Sequence, residues 1–215
     1  HLSIRRQRQM CIRDRLQTWN NDGPATLAMA LSYFGWSGDQ TIPETWLRPD
    51  PEDKSVTPWQ VVDYVESQTN YAALMRMGGT PDLLKLMLAA GLPVIVQTGF
   101  YPDREDWMGH YLLLVGYDDA ARQYLTFDSY LGSNQGQGRP VSYSEFDDVW
   151  KHFNRTWIVL YQPARHDEVI ELLGEYAEAE RGYWAAVNTA RREIYQDQED
   201  KWAWFNMGTA YTALG

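Results

Sequence analysis

The chain has 215 residues, of which 44% are hydrophobic, and a formal net charge of −10. This length is sufficient for one well-packed domain and part of a second. The acidic balance argues against nucleic acid and anionic membrane surfaces as partners. Because no apolar run approaches the roughly 18–20 residues needed to span a bilayer, membrane insertion of this segment is not expected either.

The first fifteen residues differ in character from the rest of the chain. They contain five arginines and one aspartate, so the remaining residues have a formal charge of −14. Residues 5–15 resemble a translated sequencing adapter, and we predict that residues 1–15 are a non-native or disordered leader. The alternative is a natural basic arm that binds an acidic partner. The single cysteine, Cys11, lies in this segment, so neither an internal disulfide nor a cysteine nucleophile is expected.

The segment from Gln17 to Trp36 predicts a buried helix. Its residues 20–22, Asn-Asn-Asp, offer side-chain oxygens to the free N–H groups of a first helical turn, and Gly-Pro follows as a rigid start. From Leu27 to Phe34, apolar residues recur at helical spacing, which indicates one buried face. Asp22 is therefore expected at the positive end of a core helix, a position that stabilises negative charge.

Further elements follow from apolar patterns and turn residues. Residues 37–56 predict a long surface loop, which is either one wall of a cleft or a simple connection. The other elements are, in order, a helix from Pro58, a strand Tyr71 to Met77, a helix Pro81 to Ala90, a strand Val94 to Val96, a polar and aromatic loop Phe100 to Met108, strands His110 to Gly116 and Gln123 to Phe127, a loop Ser129 to Val141, a helix Ser144 to Phe153 and a strand Thr156 to Tyr161.

Two polar residues occupy the ends of neighbouring predicted strands. His110 begins one strand, and Asp128 follows the end of the next, with a turn-rich sequence between the two strands. Antiparallel pairing would bring the two side chains close together.

Beyond residue 163 the composition changes, because β-branched runs vanish and helical spacing continues to the end. Leu173-Gly174 and Met207-Gly208 are 34 residues apart, which is the period of tetratricopeptide repeats. We therefore predict that residues 164–215 form truncated tetratricopeptide-like helical repeats that contact a protein partner.

Three stretches carry a resemblance to a known family. WNNDGPATLAMALSYFGW, MGHYLLLVGYDD and LTFDSY resemble papain-like cysteine peptidases of the double-glycine-leader type, family thirty-nine. In those enzymes a cysteine directly precedes Gly-Pro-Ala, whereas this chain has Asp22 at that position. The resemblance covers roughly residues 16 to 162. It implies an α+β papain-like fold over residues 16–163, with the N-terminal helix packed on an antiparallel sheet, and an extracellular or cell-envelope setting.

The resemblance also implies a site. A cysteine at position 22 would give its proton to His110, Asp128 would orient the imidazole, and an upstream glutamine would donate to the oxyanion. Gln17 is the candidate for this last role, and Asn20 and Asn21 are alternative donors or turn residues.

Asp22 cannot easily replace the thiol, because a carboxylate attacking an amide would form a reactive anhydride while expelling a poor amine leaving group. We therefore expect a nucleophile-deficient domain that binds peptides or regulates. The alternatives are hydrolysis by a water that His110 activates, and an active cysteine peptidase in which Asp22 is a sequence change. As a structural hypothesis, Asp22 and Asp128 flank a protonated His110. No cofactor or metal is expected, since His152 and His166 have no partners at metal-ligand spacing.

Overall fold

The structure, a computed structural model, describes residues 12–50, 52–53, 55–102 and 106–215. The helices and strands are α1 (Asp22–Tyr33), α2 (Thr41–Leu47), α3 (Pro58–Gln68), β1 (Ala72–Arg76), α4 (Pro81–Ala89), β2 (Val94–Phe100), β3 (Met108–Asp118), β4 (Gln123–Asp128), β5 (Arg139–Ser142), α5 (Tyr143–Trp150), β6 (Trp157–Tyr161), α6 (His166–Leu173), α7 (Ala179–Gln196) and α8 (Lys201–Leu214). Short 3-10 turns occupy Lys151–Phe153, Pro163–Arg165 and Gly174–Ala177.

The strands of the described residues form one antiparallel sheet in the order β1-β6-β2-β3-β4-β5. Because side chains alternate along each strand, each face of the sheet has its own core. Ile95 and Leu113 pack in the core that α1 and α3 cover. Val96 and Leu114 pack in the core that α4, α5 and α6 cover. The predicted mixed fold with an antiparallel sheet is therefore confirmed.

The first helix is buried on all sides rather than on one face. Every residue from Gly23 to Ser32 is buried, and α1 is covered by the sheet, by α2 and by the chain that precedes it. Ile12 lies in the same core, and the N–H of Arg13 donates to Oγ of Ser32 at 2.9 Å. The prediction of a single buried face was therefore wrong. The N-terminal segment and α2 cover the side of α1 that was expected to face solvent.

Residues 12–15 of the predicted leader contact the domain. Ile12 is only 7% exposed, and the guanidinium groups of Arg13 and Arg15 donate to the carbonyls of Ser37 and Gly38. Within the described residues, positions 12–15 are therefore in contact with the domain, and the boundary at residue 16 stays a prediction. The rest of the predicted leader, including Cys11, lies outside the described residues.

Two regular elements lie where the sequence predicted loops. Helix α2 occupies part of residues 37–56, and strand β5, at the edge of the sheet, begins within the predicted loop of residues 129–141 and ends one residue beyond it. The sequence of α2, TIPETWL, contains a proline and two threonines and has weak helical propensity. Its start is supported by Asp39, whose carboxylate accepts hydrogen bonds from the N–H and hydroxyl of Thr41.

The predicted helical character of the C-terminal region is confirmed. Helices α7 and α8 form a helical hairpin, here residues 179–214, which packs through Ala186, Val187 and Ala210. The tetratricopeptide assignment stays a prediction. Such a repeat consists of two similar helices, whereas α6 has eight residues and α7 has 18. None of the helices in the described part of the chain is long and apolar enough to cross a bilayer.

The glycine at position 99 in β2 permits a close contact between the sheet and the turn after α5. A Cβ atom built at Gly99 would lie 1.9 Å from Nδ1 of His152 and 2.5 Å from Nε1 of Trp107. A larger residue at this position must therefore displace two rings that pack against other elements.

We predict that Gly99→Ala lowers the free energy of unfolding by about 1–3 kcal/mol, because the added methyl group overpacks this contact. Gly208→Ala in α8 is the matched control, since a Cβ atom at that position would have nothing within 4 Å. Alanine there should stabilise the helix by roughly 0.5–1 kcal/mol. Urea unfolding of both variants measures the difference, and equal effects would contradict the close contact.

Candidate functional site

The pairing of β3 with β4 brings His110 and Asp128 together. Asp128 ends β4 opposite Leu112, so it lies diagonally across from His110, two residues earlier on β3. Nε2 of His110 is 3.1 Å from Oδ1 of Asp128, and these residues are only 3% and 4% exposed. The same oxygen accepts the N–H groups of Tyr130 and Leu131. Because an ionised carboxylate can only accept hydrogen bonds, the imidazole donates to Asp128 through a proton on Nε2.

Asp22 reaches the other nitrogen of the same imidazole. It is the first residue of α1, as the sequence predicted. The register of β3 with β4 begins at Leu112, so the preceding residue, Tyr111, lies beyond the end of β4. Its N–H donates instead to Oδ2 of Asp22 at 3.0 Å. That oxygen is 3.7 Å from Nδ1 of His110, so one carboxylate lies on each side of the ring.

The two carboxyl groups differ in their acidity. Burial raises the pKa of Asp22 above its ordinary value, although the charge of His110 and the N–H groups of Gly23 and Tyr111 limit the rise. Burial also opposes ionisation of Asp128, but hydrogen bonding to His110 and the interaction of their charges, together with two backbone N–H groups, outweigh it and lower its pKa. Asp128 is therefore the carboxylate that keeps its charge, and Asp22 is the one that accepts a proton more readily.

Gln17 is attached to the loop that follows Asp128. Its backbone N–H donates to the carbonyl of Ser129 at 2.7 Å, and its side-chain oxygen accepts from the hydroxyl of Ser129 at 2.8 Å. With the oxygen of its amide occupied, Gln17 keeps its NH₂ group as a donor. The segment before α1 and the segment after β4 are thus joined beside the imidazole.

Helix α2 holds the segment that leads into Asp22. Gln40 precedes the helix, Glu44 lies within it and Arg48 follows it, and their spacing of four residues places them on one side. The amide nitrogen of Asn21 donates to Gln40 and Glu44, and its oxygen accepts from Arg48. Gln40 and Arg48 also bond backbone groups within residues 16–19. Residues 40–48 therefore hold the segment that leads into Asp22, and they are not a simple connection.

These bonds change the interpretation of the two asparagines. Asn21 is fully buried and makes no side-chain cap to α1, and its amide is engaged by α2. It is therefore not available as an alternative oxyanion donor. Asn20 has a φ of 53°, the left-handed conformation of a turn residue.

The imidazole packs on an aromatic ring, which in turn contacts an exposed one. The ring of Phe100 lies 5.0 Å from that of His110, and the edge of Tyr130 meets Phe100 at the same distance. Tyr130 is 45% exposed, Tyr101 is 57% exposed and Trp19 is 82% exposed. Tyr130 therefore connects the rings of Phe100 and His110 to the surface.

The supporting residues Gln40, Glu44, Arg48 and Ser129 were not identified from the sequence. The spacing of four residues between the first three would have indicated a shared side of a helix, but the sequence predicted a loop in this region. Nowhere in the described ranges do three or more His, Cys, Asp or Glu side chains form a group that could hold a metal ion. His152 and His166 are separate from the site, and each bonds an aromatic side chain instead.

The comparison of sequences identifies the family. Residues 2–158, well over half of the chain, match the Peptidase_C39 like family, and the chain therefore belongs to it. No curated protein matches this chain.

Several solved structures share the fold. A putative C39-like peptidase from Bacillus anthracis aligns with a TM-score of 0.53 and 15% identity, covering 70% of this chain and 94% of that one. The peptidase domain of Streptococcus ComA, a bi-functional ABC transporter, has a TM-score of 0.52 and 17% identity, with 69% and 97% covered. A double glycine motif protease from an AMS/PCAT transporter, solved with its leader peptide, has the same TM-score and identity, with 69% and 89% covered.

The pKa of Asp22 gives a testable dependence of stability on pH. Because its folded-state pKa is raised above 3.8, the folded protein binds this proton more tightly than the unfolded chain does. The contribution of Asp22 to the stability of the folded protein therefore falls as pH rises from the pKa of Asp22 in the unfolded chain to its higher pKa in the folded protein. We predict that Asp22→Asn becomes progressively more stable relative to the unmodified protein as pH rises upward from 3.8, the ordinary aspartate pKa.

Thermal or urea unfolding across this range measures the effect, and exposed Asp63→Asn in α3 is the control. A stability difference for Asp22→Asn that is constant with pH, or that shifts the opposite way, contradicts the raised pKa.

Proposed function

We propose that this chain is a peptide-binding or regulatory domain of the Peptidase_C39 like family whose catalysis is impaired because Asp22 occupies the nucleophile position. The observation that carries the proposal is the placement of Oδ2 of Asp22 3.7 Å from Nδ1 of His110, with Asp128 on the opposite nitrogen. A thiol at position 22 would face the same nitrogen, which is the one positioned to take its proton.

The chemistry of a carboxylate accounts for the loss of activity. A thiolate is intrinsically nucleophilic and forms a thioester, whereas a carboxylate would have to form an anhydride while expelling an amine. When it is ionised, Asp22 supplies the negative charge that a thiolate would have next to a protonated imidazole. The site therefore keeps its electrostatic character while it lacks the atom that attacks.

Peptide binding is supported by the surface around the site. One structural neighbour, the double glycine motif protease, was solved with a leader peptide. In this chain the exposed rings of Trp19, Tyr101 and Tyr130 provide apolar contact area. The NH₂ group of Gln17, held by Ser129, is the proposed donor to a peptide carbonyl.

The helical region supports a second contact. Trp204 and Phe205 of α8 are 50% and 59% exposed, so two neighbouring aromatic side chains present apolar surface there. We propose that this surface contacts a protein partner, in keeping with the predicted repeats. An envelope or extracellular setting likewise stays a proposal drawn from the family resemblance.

The experiment is to restore the nucleophile. In a Cys11→Ser background, where position 22 holds the only cysteine, Asp22→Cys should gain reactivity towards iodoacetamide and cleave members of a peptide library. Without the restored thiol, the protein should bind peptides, measured by fluorescence anisotropy, and cleave none. His110→Ala in the Asp22→Cys background should abolish cleavage.

Two results would overturn the proposal. Cleavage by the protein with Asp22, lost in His110→Ala, would establish a water mechanism instead. Failure of both proteins to bind any library peptide would exclude a peptide-binding role.

A further inference from the structure

The helical hairpin is fastened to the sheet domain at the end of β1, where Gly182 packs closely on Met77 and Gly78, and at the turn of residues 151–155. The side-chain amide of Asn154 donates to the carbonyl of Asn206 at 3.0 Å and to the hydroxyl of Thr209 at 2.6 Å. Arg155 pairs with Glu193 at 2.7 Å, and Lys151 pairs with Asp200 at 3.2 Å. Asn154 and Asn206 are both buried, so the bond between them is shielded from water. The hairpin is therefore a fixed part of this surface rather than a loosely tethered appendage.

An aromatic cluster extends this contact towards the site. The ring of Trp202, in the first turn of α8, stacks on His152 with centroids 4.0 Å apart and lies 4.9 Å from Trp107. The indole N–H of Trp107 donates to Nδ1 of His152 at 3.2 Å, and its ring stacks on Phe153. These contacts join four rings into one group, which we call the tryptophan cluster: Trp202, His152, Phe153 and Trp107.

The tryptophan cluster lies directly against the strand ends that carry the imidazole. Trp107 precedes β3, three residues before His110. Gly99 and Gly109 are paired across β2 and β3, and a Cβ on either would meet His152 or Phe153 within 3.1 Å. The next pair in the register is Thr98 with His110, and Phe100 packs on the imidazole ring. A displacement of the cluster would therefore be transmitted through one backbone pair to His110.

We propose that Trp202 is a positioning residue for His110, acting through Trp107 and His152. The match to the Peptidase_C39 like family ends at residue 158, so Trp202 lies in a part of the chain outside that match. The proposal concerns the geometry of the imidazole, and it stands or falls independently of peptide binding.

The charge state of His152 is consistent with this role. Burial, followed by the nearby charge of Lys151, lowers its pKa to about 4. At neutral pH its Nδ1 is therefore an unprotonated acceptor for the indole N–H of Trp107. The charged groups that face it are Lys151 on the turn, Asp148 on α5, and Asp200 and Lys201 at the start of α8.

The test measures the imidazole signals of His110 directly. Long-range proton–nitrogen NMR spectra of ¹⁵N-labelled protein report both ring nitrogens, and the chain has only four histidines to assign. Trp202→Ala should shift the ring signals of His110 and move the indole N–H signal of Trp107. Trp202→Phe should restore the His110 signals towards those of the unmodified protein, because an aromatic ring is retained.

Trp204→Ala is the matched control, since Trp204 lies two residues along the same helix and is half exposed. It should leave His110 unchanged. If Trp202→Ala does not fold, as judged by circular dichroism, Trp202→Leu replaces it, because leucine keeps apolar bulk without a ring. His110 signals that stay unchanged in the folded variant, or that move equally in Trp204→Ala, overturn the proposal.

Discussion

The geometry of the site depends on one hydrogen bond between the main chain of β3 and the side chain that begins α1. Strand β4 ends at Asp128, so the N–H of Tyr111 has no strand partner on that side and donates to Asp22. This bond ties the start of the buried helix to the edge of the sheet. Because α1 is buried over Gly23–Ser32, its first residue has little freedom, and whatever side chain stands at position 22 is directed at Nδ1 of His110.

Burial disfavours the charged form of a carboxyl group at position 22, and the neighbouring groups partly stabilise it. Burial raises the pKa of Asp22, which means that its charged form is disfavoured there. The helix N-terminus, the Tyr111 N–H and the imidazole all partly offset this cost. The result is an imidazole between two unequal carboxyl groups, with Asp128 the stronger acid. Such a cluster can hold and shift a proton, but it contains no atom suited to forming an acyl intermediate.

Local sequence signals predicted the centre of this arrangement. The Asn-Asn-Asp-Gly-Pro sequence predicted the start of α1, and an apolar strand followed by a turn predicted the pairing that joins His110 to Asp128. The supporting elements were not predictable in the same way. Helix α2 has weak propensity and depends on bonds from Gln40 and Arg48 to a distant segment. The stacking of Trp202 on His152 joins residues on different elements, and no periodic pattern encodes such a contact.

The most direct measurement is the nitrogen spectrum of the His110 ring in three proteins: unmodified, Asp22→Asn and Asp128→Asn. We predict that Nε2 carries a proton and that its signal responds mainly to Asp128→Asn, whereas the Nδ1 signal responds mainly to Asp22→Asn. An imidazole whose signals respond to neither substitution, or whose two nitrogens respond in the reverse order, would contradict the placement of one carboxyl group on each side of the ring.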